Sequence, residues 1–321
     1  KGVDVRAFTT EESADDVEAL RRALGVPKVS LAGFSYGTHL VLSVLRRHPQ
    51  GVARAVLIAT EGPADTWKYP ETLDLQLTKL SYLATGSDAM VRSFDRVMQK
   101  LAKDPLIVPV RLKDDAPAVD VKVSAFGLQR ILIEDLGDSS DFVLFPAMLQ
   151  MLEAGDPSLL ARYVEKRYRG MAGGVPLMSL AMDCASGASP ERLAEIERQA
   201  AASRFPLINF PYPHICAQLG VVDLGERFRS AVASDVPALF ISGTLDYQTP
   251  PYQAERAMWG FTNARHIVVT HGAHEDLDSN REVGMRVAAF LRGEEVKSGT
   301  IEAPRPKFLS VEEVKQRLRP H

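Results

Sequence analysis

The sequence predicts an α/β fold, a mostly parallel sheet flanked by helices, with one large and mainly helical insertion. Residues 1–60 and 235–321 alternate short apolar runs of strand type with helical patterns, and this alternation is typical of parallel sheets. Between residues 61 and 234 the alternation stops, and helical patterns separated by prolines replace it. We therefore expect residues 1–60 and 235–321 to form the core and residues 61–234 to form a helical cap.

Local signals place the individual elements. Thr9 and Glu12 have the spacing of a capping box, so a helix begins there, and we expect its apolar stripe from Ala14 to Leu24 to pack on the sheet. Continuous aliphatic runs predict buried strands, and Pro251 opens a later helix, where proline is tolerated. The predicted core strands are residues 29–32, 54–60, 236–242 and 264–269. The predicted helices include residues 38–47, 251–259 and 281–291 in the core and residues 73–83, 89–101, 142–153 and 189–202 in the cap.

Ser35 lies between a predicted strand and a predicted helix, within the segment Gly33-Phe-Ser-Tyr-Gly37. A serine on so tight a turn needs small residues two positions to either side, and we expect a Cβ atom at Gly33 or Gly37 to collide with neighbouring backbone. The turn raises the hydroxyl above the sheet and directs the backbone N–H of Tyr36 toward the position of a tetrahedral oxyanion. This pattern is that of a nucleophile elbow.

Two further residues complete a predicted catalytic triad of Ser35, Asp246 and His274. Asp246 and His274 each follow a predicted core strand, and the chain order Ser, Asp, His is associated with α/β-hydrolases. Serine needs a base, imidazole can accept and return the proton, and a carboxylate orients the imidazole. The sequence therefore predicts an α/β-hydrolase core with a large helical cap inserted after the strand that follows the nucleophile helix.

The acid of the triad has alternatives. Asp246 can also be interpreted as a turn aspartate, because Gly243 begins a predicted tight turn and aspartate is common in turns. Glu275 and Asp276 are less suitable, since immediate sequence neighbours of His274 rarely point at its imidazole nitrogen.

The base has an alternative in His271. We favour His274 because the glycine before it lets the loop return over the sheet, and we interpret His271 as a residue at the strand end. His39, one turn past Ser35, and His266, inside a strand, are interpreted as structural.

Composition excludes several classes of function. A net charge of -3, with 45% hydrophobic and 25% charged residues, is typical of a globular protein and provides no electrostatic case for nucleic acid or an anionic membrane. No apolar run approaches the length needed to span a bilayer. Histidines and cysteines lack ligand spacing and no phosphate-binding glycine motif is present, so we expect no metal and no cofactor.

The compartment depends on the two cysteines, Cys184 and Cys216, which can form a bridge or remain buried thiols. A disulfide would indicate a secreted or periplasmic protein, and two thiols a cytoplasmic one. The chain starts at Lys1 without an initiator methionine or a signal peptide, so a segment upstream is expected to have been removed.

With these residues in place, the chain resembles α/β-hydrolases of the proline iminopeptidase and tripeptidyl aminopeptidase group of serine peptidases. The resemblance is specific around the triad and loose elsewhere. It rests on Phe8-Thr-Thr-Glu-Glu, Gly33-Phe-Ser-Tyr-Gly-Thr38, Ser242-Gly-Thr-Leu-Asp-Tyr-Gln-Thr-Pro-Pro251, Gly272-Ala-His274, Ala181-Met-Asp-Cys184 and Cys216 with Gln218.

The resemblance implies an aminopeptidase that releases N-terminal residues from peptides or small amides. In that group acidic cap residues hold the free ammonium of the substrate, and the candidates here are Glu134, Asp135 and Asp183. Phe34, next to the nucleophile, is a further candidate substrate-binding residue. A small peptide, amide or ester is the expected substrate.

The front of the chain departs from the family pattern. Members of the group place several strands and a His-Gly segment, which supplies the second oxyanion N–H, before the position of Phe8. Loss of one oxyanion donor lowers turnover by roughly 100- to 1000-fold. We therefore expect residues 1–321 to be a fragment or processed product, weakly active or unstable alone, and an upstream segment of the same polypeptide to be a candidate partner.

Two other functions stay open. One is a carboxylesterase that acts on small esters, and the other is a non-catalytic relative that uses the cap pocket to bind a ligand. Epoxide and haloalkane hydrolysis are disfavoured because they need a carboxylate where Ser35 stands.

Overall fold

The computed structural model describes residues 4–111, 113, 116–171 and 176–318. Its main sheet has five strands that follow one another across the sheet in chain order, and every neighbouring pair is parallel. A parallel sheet in an α/β protein is covered on both faces. The five strands are β1 (Val29–Phe34), β2 (Val52–Ile58), β5 (Ala238–Leu245), β6 (Ala264–Ala273) and β7 (Gly299–Glu302).

Core helices cover the two faces of this sheet. Alternate residues of β2 and β5 face opposite sides, so Leu57 and Phe240 belong to one apolar cluster and Val56 and Leu239 to another. The first cluster includes residues of three helices and the second includes residues of one. These helices are α1 (Thr10–Ala23), α2 (Tyr36–Arg47) and α13 (Pro251–Met258) on the first face and α14 (Arg281–Leu291) on the second.

The segment between β2 and β5 is mainly helical and supplies most residues of a large apolar cluster, which Leu245, Ala273 and Leu309 of the core also join. It also contains an antiparallel hairpin of β3 (Leu106–Val110) and β4 (Val119–Val123), which the sequence analysis did not predict. Its helices are α3 (Pro70–Thr85), α4 (Ala89–Lys103), α5 (Ala125–Asp135), α6 (Ser139–Phe142), α7 (Phe145–Glu153), α8 (Ser158–Met171), α9 (Leu177–Ser186), α10 (Pro190–Ala200), α11 (His214–Leu219) and α12 (Gly225–Arg229).

The last helix, α15 (Val311–Leu318), leaves the sheet and packs on α7 and α8 of the inserted segment. Leu309 N–H donates to the carbonyl oxygen of Val143 at 3.1 Å, and the ring of Phe308 lies 6.2 Å from that of Phe142. The C-terminal residues therefore connect the sheet to the inserted helices. The division into a core of residues 1–60 and 235–321 and a cap of residues 61–234 remains a proposal.

Two expectations about strands were wrong. We expected residues 264–269 to form the last core strand, but β7 pairs with β6 beyond it. We expected a tight turn at Gly243, but β5 continues to Leu245. A Cβ atom at Gly243 would lie 2.2 Å from the carbonyl oxygen of Gly272, so this glycine serves the close approach of β5 and β6 rather than a turn.

The apolar stripe predicted for α1 was correct only in its first half. Leu20 and Leu24 are 60% and 63% exposed, whereas Glu18 is buried. The Glu18 carboxylate accepts hydrogen bonds from the Nε atoms of Arg21 and Arg22, each at 2.7 Å, and these bonds compensate its burial. The helix packs mainly on α2, and Ala14 and Val17 join the apolar cluster on the first face of the sheet, so only the C-terminal part of the predicted stripe points away from the core.

The two cysteines are joined. A disulfide connects Cys184 on α9 to Cys216 on α11. Among the described residues, no helix is both long and apolar enough to cross a membrane.

Candidate active site

Ser35 adopts a strained backbone conformation at the junction of β1 and α2. Its φ of 52° and ψ of -121° lie where non-glycine residues are uncommon. Ser35 N–H donates to the carbonyl oxygen of Ile58 on β2 at 3.0 Å, which ties the turn to the sheet. The predicted strand, turn and helix around Ser35 are therefore present.

The Thr38 hydroxyl holds this turn from the other side. It donates to the carbonyl oxygen of Ser35 at 2.6 Å and accepts the N–H of Glu61 at 2.8 Å. Thr38 is fully buried, so water does not compete for these bonds. One side chain thus joins the elbow to the loop that follows β2.

Only one of the two glycines of the elbow is required to avoid a steric clash with neighbouring backbone. A Cβ atom at Gly33 would lie 2.4 Å from the carbonyl oxygen of Gly37, whereas a Cβ atom at Gly37 would have no neighbour within 4 Å. The expectation for Gly37 was therefore wrong. Gly37 lies in the first turn of α2, where a Cβ atom points away from the neighbouring backbone.

Ser35, His274 and Asp246 form one hydrogen-bonded chain. The Ser35 hydroxyl lies 2.9 Å from Nε2 of His274, and Nδ1 of His274 lies 2.8 Å from Oδ2 of Asp246. In the arrangement that activates the serine, its hydroxyl donates to Nε2 and the Nδ1–H group donates to the carboxylate. The structure thus brings together three residues that are up to 239 positions apart in the sequence.

The loop after β5 holds the Asp246 carboxylate. Gln248 N–H and Thr249 N–H donate to Oδ1 at 2.8 and 2.9 Å, and the Thr249 hydroxyl donates to Oδ2 at 2.6 Å. Asp246 therefore accepts turn-type bonds and also contacts the histidine, so the two interpretations offered for it both apply.

The pKa values of Asp246 and His274 shift in opposite directions. Burial alone would raise the pKa of Asp246, but the His274 imidazole and the bonds from His274 and Thr249 lower it below its ordinary value. Burial alone would lower the pKa of His274, but the charge of Asp246 and its hydrogen bond raise it above its ordinary value. The carboxylate stays ionised, and the imidazolium formed on proton transfer is stabilised.

The other histidines considered as the base bond to groups outside the triad. Nδ1 of His271 is 3.2 Å from the carbonyl oxygen of Ala303, and Nε2 of His266 is 2.9 Å from the hydroxyl of Ser242. His39 is fully buried between α2 and α9.

The competing acids are also placed elsewhere. The Asp276 carboxylate accepts a hydrogen bond from the Ser139 hydroxyl at 2.9 Å. Glu275 is exposed on the wall of a cavity.

A cavity of about 330 Å³ opens beside the triad. Tyr247 and Glu275, the residues directly after Asp246 and His274, line it. Lys68 and Asp183 of the inserted segment also line it. A smaller cavity of about 230 Å³ is lined by neither a triad residue nor a sequence neighbour of one.

The candidate substrate-binding residues divide into two groups. Glu134 and Asp183 line the cavity. Asp135 does not, because its buried carboxylate faces α8 and pairs with Lys166 at 2.9 Å and Arg167 at 2.5 Å. Its assignment to the substrate site is therefore corrected.

The two residues that flank Ser35 are both close to the reacting groups. The ring of Phe34 lies 5.1 Å from the His274 ring, so it packs on the imidazole of the candidate triad. Tyr36 is the first residue of α2, and N–H groups of a first helical turn have no partner within the helix. Its role as oxyanion donor remains a prediction.

Asp183 is a carboxylate without a cationic partner. It forms no ion pair with any residue that the structure describes and accepts one hydrogen bond, from the Tyr212 hydroxyl at 2.8 Å. Burial raises the pKa of Asp183 to about 6 and the negative charge of Glu61 adds to this, whereas the Tyr212 bond and the positive charge of Lys68 oppose it.

Glu61 lies close to this group. Its Oε2 atom accepts a hydrogen bond from Nζ of Lys68 at 2.6 Å, whereas its buried Oε1 atom has no hydrogen-bond partner in the described part of the chain. Two carboxylates and one ammonium group therefore meet at this side of the cavity.

Sequence reasoning missed four of these residues. Thr38 and Thr249 each lie three positions after a triad residue, a spacing at which hydroxyls bond the local backbone, so this signal was available. Glu61 and Lys68 lie in a loop with no motif, and only the fold shows their contact. No group of His, Cys, Asp and Glu side chains suited to a metal ion occurs among the described residues.

Two family models match the chain. One, described as alpha/beta hydrolase fold, matches residues 4–108, and the other, described as TAP-like protein, matches residues 210–301. The first match contains Ser35, and the second contains Asp246 and His274. A search of curated proteins finds no match.

Solved structures with a similar course of the chain share little sequence with it. An esterase from Exiguobacterium antarcticum is 14% identical, with a TM-score of 0.38 over 90% of this chain and 75% of that chain. A thermophilic esterase from Thermogutta terrifontis is 16% identical, with a TM-score of 0.38 over 89% and 72%. An epoxide hydrolase from Bacillus megaterium is 14% identical, with a TM-score of 0.39 over 91% and 77%. Similarities this distant say nothing about substrate.

Gly33→Ala is expected to lower the free energy of unfolding by about 1–3 kcal/mol, because the added methyl group overlaps the backbone of Gly37. The matched control is Gly37→Ala, which should cost no stability, since space is available and alanine is the better helix former. Urea unfolding of the two variants checks this. Equal losses would contradict the difference between the two glycines.

Thr249→Val is expected to slow fluorophosphonate labelling of Ser35 by about 10- to 100-fold. The change removes a hydrogen bond to an ionised carboxylate, and such bonds contribute about 1.5–3 kcal/mol. Thr249→Ser keeps the hydroxyl and should label at nearly the normal rate, while Ser35→Ala should not label. An unchanged rate in Thr249→Val would show that this bond does not orient the acid.

Proposed function

We propose that this chain, which has the α/β-hydrolase fold, is a serine hydrolase that releases N-terminal residues from peptides or small amides. The observation that carries the peptidase part is the Asp183 carboxylate, which is largely buried beside the triad without a cationic partner. This proposal agrees with the resemblance to the proline iminopeptidase and tripeptidyl aminopeptidase group.

The triad supports an acyl-enzyme reaction. The Ser35 oxygen attacks the carbonyl carbon of the substrate while its proton moves to Nε2 of His274. Asp246 holds the Nδ1–H group and stabilises the imidazolium, and the Tyr36 N–H supports the oxyanion. The proton on Nε2 then passes to the leaving amine as the carbon–nitrogen bond breaks. Water activated by His274 then hydrolyses the ester bond between the acyl group and Ser35, which restores the free Ser35 hydroxyl.

The charges of the cavity favour a substrate with a free amino group. An ionised carboxylate that is largely buried is costly unless a positive group compensates it. At neutral pH, with a pKa of about 6, Asp183 is mostly ionised and can pair with an ammonium group. Two cations, Lys68 and Arg130, also line the cavity, but they pair with Glu61 and Glu134. Among the described residues, Asp183 and the exposed Glu275 are therefore the carboxylates of the cavity without an ion pair.

One wall of the same cavity is apolar. Ile133, Ile208 and Phe210 line it, and the edge of the Phe126 ring packs on Phe210 at 5.4 Å. Phe126 and Phe210 remain 41% and 49% exposed. We propose that the substrate places an apolar side chain on this wall while its amino group faces Asp183.

Asp183→Asn is expected to lower kcat/KM for a proline arylamide with a free amino group by about 10- to 100-fold, through loss of a charged hydrogen bond. The same variant should hydrolyse the N-acetylated arylamide and a short p-nitrophenyl ester as the unaltered protein does. Asp120→Asn, at an exposed site in the same inserted segment, is the matched control.

Three results would contradict the proposal. Cleavage of the ester alone would leave a carboxylesterase. Equal cleavage of the free and acetylated arylamides would remove amine recognition. No turnover and no labelling of Ser35 would leave the non-catalytic ligand-binding relative.

The pH profile of the same reaction adds a second signature. As pH falls, His274 becomes protonated and stops acting as a base, and its raised pKa places this loss above the ordinary range for histidine. Below about pH 6 Asp183 also becomes protonated and loses its attraction for an ammonium group. As pH falls, log kcat/KM should therefore decline with a slope of two for the free-amine substrate and a slope of one for the ester. In Asp183→Asn the slope should be one for both substrates.

We also propose that the protein works in an oxidising compartment, secreted or periplasmic, because disulfides such as Cys184–Cys216 persist there. Protein isolated under alkylating conditions should gain the mass of two alkyl groups only after reduction. Alkylation without reduction would indicate thiols and contradict this placement.

A further inference from the structure

Helix α9, which carries Asp183, bonds directly to the nucleophile helix α2 through buried side chains. The hydroxyl of Ser186, at the end of α9, lies 3.1 Å from Nε2 of His39 on α2. It also lies 3.4 Å from the hydroxyl of Thr10 at the start of α1. The Thr10 hydroxyl in turn lies 3.0 Å from the phenolic oxygen of Tyr36.

One orientation of the protons satisfies all of these bonds. Nδ1 of His39 lies 3.2 Å from the carbonyl oxygen of Gly62, which can only accept, so Nδ1 carries the proton. Nε2 must then accept from the Ser186 hydroxyl, which leaves the Ser186 oxygen to accept from Thr10. Thr10 accepts in turn from Tyr36. Each hydroxyl donates once and accepts at most once, so this chain of hydrogen bonds is fully satisfied.

This chain is dry. Thr10 and Ser186 are fully buried and His39 is 1% exposed. Water cannot replace a lost partner at such a site, so removal of one hydroxyl leaves a buried group unsatisfied. Burial also lowers the pKa of His39, which keeps the ring neutral and able to accept at Nε2.

Other bonds of α9 lie within the inserted segment, and the helix also packs on Val5–Ala7 and on α1 near the start of the chain. Cys184 is bonded to Cys216, the Asp183 carboxylate accepts from Tyr212, and Nη1 of Arg229 donates to the carbonyl oxygen of Ser186 at 3.0 Å. Near Asp183, the link to the nucleophile helix consists of the Ser186–His39 bond and a contact of 3.6 Å between the Tyr36 oxygen and the Sδ atom of Met182.

We propose that Ser186 and His39 are positioning residues that set the distance from the Asp183 carboxylate to Ser35, and so give the enzyme its preference for substrates with a free amino group. Neither residue touches the substrate. The inference rests on the proposed function, since it assigns to this bond the spacing between amine recognition and acyl transfer. A shift of about 1 Å in such a spacing can lower a rate by about 100-fold.

A purely structural role would have different consequences. If the bond only stabilised the fold, its loss would lower stability and reduce activity toward all substrates alike. If it positions Asp183, its loss raises KM for the free-amine arylamide and leaves a short ester, which does not use Asp183, nearly unchanged.

The test compares Ser186→Ala, Ser186→Thr and Ser179→Ala in the full chain. Ser179 lies on the same helix, is exposed, and within the described part of the chain bonds only the local carbonyl of Pro176, so it is the matched control. Ser186→Ala should raise KM for the free-amine arylamide by about tenfold, the factor expected for one lost hydrogen bond. Its kcat/KM for a short p-nitrophenyl ester should stay within about twofold. Ser186→Thr should restore the free-amine KM, and Ser179→Ala should match the unaltered protein.

The outcomes separate the inference from the proposed function. An unaltered protein without preference for the free amine overturns both. A preference that Ser186→Ala leaves unchanged, or an equal loss on amide and ester, overturns the inference alone.

A second variant covers a failure of Ser186→Ala to fold. Thr10→Val removes the next hydroxyl of the chain with little change in volume and should give the same split with a smaller rise in KM, about threefold. If both variants fail to fold, the chain of hydrogen bonds supports the fold rather than the substrate, and the inference is overturned.

Discussion

The site depends on the backbone strain at Ser35. A residue with φ of 52° persists in a folded protein only when its surroundings hold it there. Here Ile58 on β2 accepts the Ser35 N–H group, and the buried Thr38 hydroxyl donates to its carbonyl oxygen. Gly33 provides the space that the turn needs. Strand β1, helix α2 and the loop after β2 therefore together position the Ser35 hydroxyl.

The carboxylates around that hydroxyl are of two kinds. Asp246 is fully compensated, by His274, by two backbone N–H groups and by Thr249, and it remains an anion that orients the base. Asp183 has a single hydrogen bond and forms no ion pair among the described residues, because the nearby Lys68 ammonium is bonded to Glu61. The first arrangement is complete without a ligand. In the proposed function, the second leaves a negative charge for the ammonium group of the substrate to neutralise.

Among the links between the core and the inserted segment, two differ in character. The C-terminal helix α15 packs on α7 and α8, and α9 reaches the nucleophile helix through Ser186 and His39. The first link is mainly apolar and tolerates small shifts, whereas the second consists of directional hydrogen bonds in a dry environment. The second link therefore suits the transmission of a defined distance between the cavity and the triad.

The sequence by itself determined the elbow and the identity of the triad, because each depends on a short window: a strand end, a turn and the residue type that the chemistry requires. Tertiary structure alone decided which charges meet. Glu134 and Asp135 are neighbours in sequence, yet successive residues of a helix point about 100° apart. Glu134 therefore faces the cavity and Asp135 is buried against Lys166. The bond from Ser186 to His39 spans 147 positions, and no local pattern records a contact that packing creates.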